Sequence, residues 1–158
     1  MKRIFGVPHK YQNRDYTCGP VVIEMMLNYL GIEEHRKDLV KELRTTKRFG
    51  THNSDFAQLI KKRGLYYVVK KNSNIKTIKK FVDSDIPVIV NYKEPSEEAP
   101  HFGIVVGYTK DRLILNDPHP KNGRGFKINI AEFEKRWFGE KPPVKRWLIA
   151  ISDKKIKA

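Results

Sequence analysis

The spacing of apolar residues changes after residue 86, and this change constrains the fold of the chain more than any other feature of the sequence. Before it, apolar residues recur at helical spacing, and capping residues or glycines mark several of the segment ends. We predict helices over 19–31, 32–43, 54–64 and 74–83, with a short strand over 66–69. After it, short apolar runs separated by turns indicate strands. We predict strands over 87–92, 101–108, 112–117, 125–130 and 146–151, with a short helix over 131–138.

Helices first and mostly adjacent strands afterwards predict an α+β fold, with N-terminal helices packed on a mostly antiparallel sheet. The 158 residues fit one domain over 1–158 whose last residues, 152–158, form a basic tail. No apolar run approaches the roughly 20 residues that a membrane span needs, and the N-terminus has no stretch typical of a signal peptide. We therefore expect a protein without a membrane span, located in the cytoplasm.

The chain is strongly basic, with 32 Lys and Arg against 18 Asp and Glu, a formal net charge of +14. Such a charge attracts polyanions, so nucleic acid is one candidate partner. The cations are spread as short pairs such as Lys61-Lys62 and Lys79-Lys80, and no zinc-finger spacing, phosphate loop or RNA-binding signature accompanies them. We favour a solvated surface, and nucleic-acid binding remains an open but less favoured alternative.

Cys18, the single cysteine, lies directly before Gly19-Pro20 and the first predicted helix. A lone cysteine excludes an intramolecular disulfide and a multi-cysteine zinc site. A helix N-terminus stabilises a thiolate, which is the reactive form of the side chain. The alternative is an inert cysteine that packs as a small hydrophobe.

His101 and Asp117 supply the groups that a catalytic thiol needs. His101 opens a strongly apolar strand and Asp117 ends the next one, so a hairpin brings them side by side. Asp117 would then orient the imidazole of His101 toward Cys18, the arrangement of nucleophile, base and orienter. Gln12, six residues before Cys18, is a candidate oxyanion donor beside the backbone N–H of Cys18. Taken one at a time, each residue also has an ordinary structural interpretation. His101 could be a histidine at a strand end, Asp117 an aspartate in a turn and Gln12 a glutamine in a loop.

These motifs resemble one known family. Gln12-x5-Cys18-Gly19-Pro20, then His101-Phe102-Gly103-Ile104-Val105-Val106-Gly107-Tyr108, then Asn116-Asp117-Pro118 are similar to the bacteriocin leader-peptidase-like family, cysteine-peptidase family 39 of the papain-like clan. The resemblance covers most of the chain and is closest to members that stand alone without a transporter. It implies a papain-like fold, with Cys18 as nucleophile, His101 as base and acid, Asp117 as orienter and Gln12 as oxyanion donor. It also implies a peptide or protein substrate and no metal or cofactor.

The expected function is hydrolysis of a peptide or amide bond through a thioester on Cys18. Acyl transfer on the same fold stays open. A second alternative is a non-catalytic module that binds peptides, anions or nucleic acid.

Three further features have two interpretations each. The glutamates of residues 93–100, which precede His101, either form a mobile rim that selects cationic substrates or raises the pKa of His101, or lie in a solvated loop. His119 suggests a metal site with His101 and Asp117, but two histidines and one aspartate are too few to favour it. Trp137 and Trp147 are expected to pack in the core rather than to form a substrate platform.

Overall fold

The helices and strands follow the change in apolar spacing. The computed structural model describes residues 1–139 and 144–157, and in these residues it has five helices and seven strands. The helices are α1 (Cys18–Tyr29), α2 (Arg36–Glu42), α3 (Asn53–Lys62), α4 (Ile75–Asp83) and α5 (Ile130–Arg136). The strands are β1 (Lys2–Arg3), β2 (Tyr66–Lys70), β3 (Val88–Glu94), β4 (Ala99–Tyr108), β5 (Arg112–Asp117), β6 (Gly123–Asn129) and β7 (Leu148–Ser152).

The strands form one antiparallel sheet in the order β2-β7-β3-β4-β5-β6. The last strand, β7, inserts between β2 and β3, so the two halves of the chain share the sheet. Strand β1 pairs with the end of β4, where Lys2 lies opposite Tyr108. β3 begins opposite Val105, so β1 pairs with β4 beyond the end of the β3 pairing.

Both faces of the sheet are buried. Alternate side chains such as Ile89 and Ile104 join a cluster with the apolar residues of α1, α2 and α3. Their sequence neighbours Val88 and Val105 join a second cluster with α4 and α5. Because successive side chains of a strand point to opposite faces, the two clusters lie on opposite sides of the sheet. This double burial explains why the strand sequences are apolar at consecutive positions rather than alternating.

The predicted fold class is confirmed: helices pack on a mostly antiparallel sheet. Most predicted boundaries shift by one or two residues, so that β3 and β4 extend into the predicted loop 93–100, and three further differences stand out. β1 is too short to leave an apolar pattern, and α2 begins at Arg36 rather than at residue 32. In the predicted tail, Ile156 is half-buried against the second cluster, and Ala158 lies outside the described residues. Among the described residues, no helix combines the length and the apolar character that crossing a membrane requires.

Candidate active site

Cys18 is the first residue of α1, and its surroundings fix its position. The helix behind it is buried, with Val21, Val22 and Met25 fully inaccessible to solvent. Cys18 itself is 8% exposed, so the thiol lies at the inner surface of a cleft rather than sealed in the core. A Cβ on Gly19 would collide with the side chain of Thr51, so only glycine permits this approach.

Three neighbouring strands place Tyr92, His101 and Asp117 together. Tyr92 of β3 lies directly opposite His101 of β4. Ile104 of β4 lies opposite Asn116 of β5, which puts Asp117 beside Gly103, two residues from His101. Residues two apart on a strand share a face, so the phenol, imidazole and carboxylate converge on one face of the sheet.

Gly103 leaves the space in which they meet. A Cβ at this position would lie 2.9 Å from Oδ2 of Asp117 and 3.3 Å from the ring of Tyr92. Because glycine has no side chain, the carboxylate can reach diagonally across β4 toward His101. The glycine of the His101-Phe102-Gly103 motif is therefore a packing requirement of the site.

The carboxylate of Asp117 holds the imidazole of His101. Nε2 of His101 lies 2.7 Å from Oδ1 of Asp117, and both side chains are buried. Nδ1 is therefore the ring nitrogen left to face the thiol. The same carboxylate accepts hydrogen bonds from the Tyr92 hydroxyl and, at 2.9 Å, from the backbone N–H of His119. The side-chain amide of Asn122 lies 3.4 Å from Oδ1.

These contacts keep the imidazole of His101 positively charged. Burial by itself disfavours that charge, but the negative charges of Asp117 and of the Cys18 thiolate, with hydrogen bonds to both, raise the pKa of His101 to about 10. Burial and the Asp117 carboxylate likewise hold the pKa of Tyr92 well above its ordinary value. The Tyr92 hydroxyl thus stays protonated and donates to Asp117. The imidazole of His101 is therefore held in its charged form in the cleft that Cys18 also lines.

Gln12 is buried in the loop that leads to Cys18. Its backbone N–H donates to the carbonyl of Pro118 at 2.9 Å, so this loop runs beside the residue that follows Asp117. Its side-chain nitrogen donates to the carbonyl of Arg14 at 3.1 Å and lies 3.4 Å from that of Asp15. An oxyanion donor needs an N–H that faces the thiol, so Gln12 would have to exchange one of these bonds to act as one.

The glutamates before His101 are part of the fold. Glu94 is 1% exposed and accepts hydrogen bonds from Ser96 and from the backbone N–H of Glu97. Burial opposes the charge of Glu94, but these bonds lower its pKa to about 2. Glu97 pairs with His119, and Glu98 with Arg136. The pKa of His101 is raised chiefly by Asp117 and Cys18 rather than by these three glutamates.

Glu94, Glu97 and His119 also form a compact group of potential metal ligands. His119 pairs with Glu97 at 3.1 Å, and its other ring nitrogen accepts from the backbone of Lys121. The donor atoms of the group thus bind other residues of the protein, and His101 does not belong to it. Trp137 and Trp147 are core residues, as expected: both are buried, and the indole of Trp137 donates to the backbone of Trp147.

The thiol and the imidazole line one cleft of about 910 Å³. One wall is the loop before Cys18, and another is the segment 47–52. Asn91 lies in the floor, where its side-chain nitrogen donates to Asn53 at 2.9 Å. Its side-chain oxygen accepts no hydrogen bond from any residue in the described part of the chain. The cleft therefore offers a nucleophile and a general acid to one ligand.

The fold and the constellation of thiol, imidazole and carboxylate are those of a cysteine-peptidase-like protein. The chain belongs to the Peptidase C39 like family, whose model matches residues 4–141. None of the curated proteins compared with the chain matches it.

Solved structures agree with this family. The peptidase domain of Streptococcus ComA is 21% identical, with a TM-score of 0.76 over 94% of this chain and 100% of that one. A putative C39-like peptidase from Bacillus anthracis is 19% identical, with a TM-score of 0.79 over 98% of each chain. A double glycine motif protease from an AMS/PCAT transporter, in complex with the leader peptide, is 18% identical, with a TM-score of 0.75 over 97% of this chain and 95% of that one. These likenesses establish the fold.

Sequence reasoning missed several residues around the site. Tyr92 was seen only as part of a strand, although pairing β3 with β4 would have put it opposite His101. The positions of Asn122 and Asn91 at the site depend on tertiary contacts, which no local sequence pattern predicts. The sequence assigns no role in the site to the segment 47–52, and the contact of Thr51 with Gly19 brings it to the thiol.

Proposed function

We propose that this protein is a papain-like cysteine peptidase that hydrolyses a peptide or amide bond through a thioester on Cys18. The observation that carries the proposal is the position of His101, which is hydrogen-bonded to Asp117 and lines one open cleft with Cys18, whose charge also raises the pKa of His101. A structural histidine has no need of a thiolate partner at the start of a buried helix. A nucleophile and its general acid do need each other.

In the first half of the reaction, the Cys18 thiolate attacks the carbonyl carbon of the substrate. The negative charge moves to the carbonyl oxygen, which the backbone N–H of Cys18 and the amide of Gln12 stabilise. The imidazolium of His101 then gives its proton to the leaving amine, the carbon–nitrogen bond breaks, and an acyl thioester remains on Cys18.

In the second half, His101 is neutral and acts as a base. It takes a proton from a water molecule, whose oxygen attacks the thioester carbonyl. The carbon–sulfur bond breaks, the carboxylic acid product leaves, and the thiolate–imidazolium pair is restored. Asp117 acts throughout by orienting the ring and stabilising its charged form. An amine in place of water would give acyl transfer by the same steps.

A peptide is the substrate that the site fits best. The cleft has a volume of about 910 Å³ and is lined by several separate segments of the chain, 13–18, 47–52 and 99–102 among them, so it has room for several residues of a peptide. Its relative from the AMS/PCAT transporter was solved with a leader peptide bound, which supports a peptide ligand here.

The test is cleavage of a peptide library by the purified protein, read by mass spectrometry. Cys18→Ala and His101→Ala are expected to lower turnover by about 100-fold or more, because each removes a reacting group. His35→Ala is the matched control, since this exposed histidine lies outside the cleft. Alkylation of Cys18, the single cysteine, should abolish turnover in the wild type as well. Cleavage at the wild-type rate by either variant would overturn the proposal.

A further inference from the structure

A short turn at the cleft, residues 46–50, is built as a rigid element. Thr46 and Gly50 exchange two backbone hydrogen bonds, of 3.1 and 2.7 Å. The hydroxyl of Thr46 also accepts from the backbone N–H of Phe49 at 3.1 Å, and Gly50 has a φ of 63° that suits glycine. We call residues 46–50 the cationic turn, because Lys47 and Arg48 lie at its tip.

The cationic turn is fixed next to the nucleophile. The buried hydroxyls of Thr45 and Thr51, one on each side of the turn, lie 2.7 Å apart and share a hydrogen bond. Thr51 packs directly against Gly19, the residue that follows Cys18. The base of the turn thus touches the start of α1, and its tip lines the cleft.

The positive charges at this cleft have no carboxylate partner in the part of the chain that the structure describes. Lys47, Arg48 and Arg14 line it, and none of them forms an ion pair with any residue that the structure describes. Arg48 instead lies 5.1 Å from the ring centre of Phe49, which is 63% exposed. Elsewhere, arginines such as Arg63 and Arg136 are satisfied by carboxylates.

Little acidic charge opposes these cations within the cleft. Asp15 is the one carboxylate among the described residues that line it. The nearby Glu97 and Glu98 do not line it and instead bind His119 and Arg136. A cleft lined by cations on low-dielectric walls concentrates a positive potential, which attracts anionic groups.

We propose that the cationic turn is a specificity element that selects substrates carrying an acidic side chain, Asp or Glu, near the bond that is cut. This inference rests on the proposed function. Lys47 and Arg48 contact the acidic side chain, and the exposed ring of Phe49 offers an apolar surface beside it. The preformed turn lowers the entropy cost of this contact, because its backbone is already ordered.

Binding to Cys18→Ala tests the inference without requiring turnover. The probes are two pools of random peptides with a neutral dye, one with Glu and the other with Gln at one fixed position. We expect the Glu pool to bind about 3- to 10-fold more tightly, the range that two partly exposed charge pairs provide. The preference should shrink at about 1 M salt, where the screening length is about 3 Å.

The decisive variant is K47E/R48E in the Cys18→Ala background, in which the preference for Glu should disappear or reverse. K71E/K76E is the matched control: it changes the net charge by the same amount at two exposed lysines outside the cleft and should keep the preference. If K47E/R48E fails to fold, K47Q/R48Q serves, with the preference for Glu expected to disappear. The inference is overturned if Cys18→Ala with the unmodified turn binds the Glu and Gln pools equally. It is also overturned if K71E/K76E loses the preference for Glu to the same extent as K47E/R48E.

Cleavage of the same pools separates this inference from the proposed function. Wild-type protein that cleaves both pools at one rate supports the peptidase and overturns the selection of acidic substrates. Wild-type protein that cleaves neither pool, while Cys18→Ala prefers Glu, overturns the peptidase for these peptides and supports the turn as an acid-binding element.

Discussion

Asp117 is the residue through which the parts of the site are connected. Its carboxylate accepts hydrogen bonds from His101, Tyr92 and the backbone of His119. His101 and His119 bind its Oδ1, and Tyr92 binds its Oδ2, so both oxygens of the carboxylate are held. The bond from Oδ1 to Nε2 then holds the imidazole ring of His101. Orientation of the base before the substrate arrives is the contribution that such a residue makes to catalysis.

At the residue scale, the charge of His101 is the property to measure. Its pKa is raised from 6.5 to about 10 by Asp117 and the Cys18 thiolate, so NMR titration should find the imidazole protonated at pH 8. The raised pKa contributes stability that is complete below about pH 6.5 and is lost as the pH rises toward 10. Activity should fall over the upper part of that range, because the leaving amine then has no proton donor.

Cys18→Ser is the control for this titration, since it keeps the size of the side chain and removes the thiolate charge. The pKa of His101 should be lower in the variant than in the wild type. An unchanged midpoint would mean that the thiolate does not sit beside the imidazole as a charge. A wild-type midpoint near 6.5 would rule out the resting ion pair.

At the element scale, the site depends on the register of β3, β4 and β5. A shift of one residue would move Tyr92, His101 or Asp117 to the other face of the sheet. The register is held by the apolar residues on both faces, which belong to two separate buried clusters. The chemistry is therefore positioned by packing on both faces of the sheet.

Gly103→Ala tests this positioning. The added methyl would press on Asp117 and on Leu115, so we expect a loss of about 1–3 kcal/mol in the free energy of unfolding, measured in urea. Displacement of Asp117 should also lower the pKa of His101, which NMR detects. In an Asp117→Ala background the same change should cost less, because the crowded carboxylate is gone. Equal costs in both backgrounds would show that the carboxylate does not need this glycine.

The elements of this fold were predictable from sequence where packing and local spacing agree. α1 and α4 have buried apolar residues at helical spacing, and β4 and β5 are apolar runs joined by a short turn. The insertion of β7 between β2 and β3 was not predictable, because strand order depends on long-range pairing.

The same division holds for the site. The sequence predicts Cys18, His101 and Asp117 as site residues, because their order and the β4–β5 hairpin indicate a thiol nucleophile with a base and its orienter. Tyr92 and Asn91 were not, since each looks like an ordinary strand residue until the partner strand is known. The roles of Glu94 and its neighbours were misjudged for the same reason: their partners Asn122, His119 and Arg136 are distant in sequence.

At the scale of the whole molecule, acidic side chains pair with particular lysines and arginines, and many other basic side chains remain. Glu34 and Glu42 share Arg63, and Glu24 is held by Lys10 and Arg36. These ion pairs satisfy carboxylates, but 32 cations against 18 anions leave a net charge of +14. Cations left over in this way repel one another across the surface.

The excess charge makes the stability depend on salt in a predictable direction. Salt screens both the attraction within ion pairs and the repulsion between surface cations. Because cations greatly outnumber anions, we expect the loss of repulsion to be the larger effect. The melting temperature should therefore rise between about 0.01 and 0.5 M sodium chloride. K71E/K76E lowers the net charge from +14 to +10, since each Lys→Glu removes two units, and should gain less from salt. K71M/K76M, at +12, should lie between the two. A melting temperature that falls with salt in the wild type would mean that ion pairs such as Arg63 with Glu34 and Glu42 outweigh the repulsion.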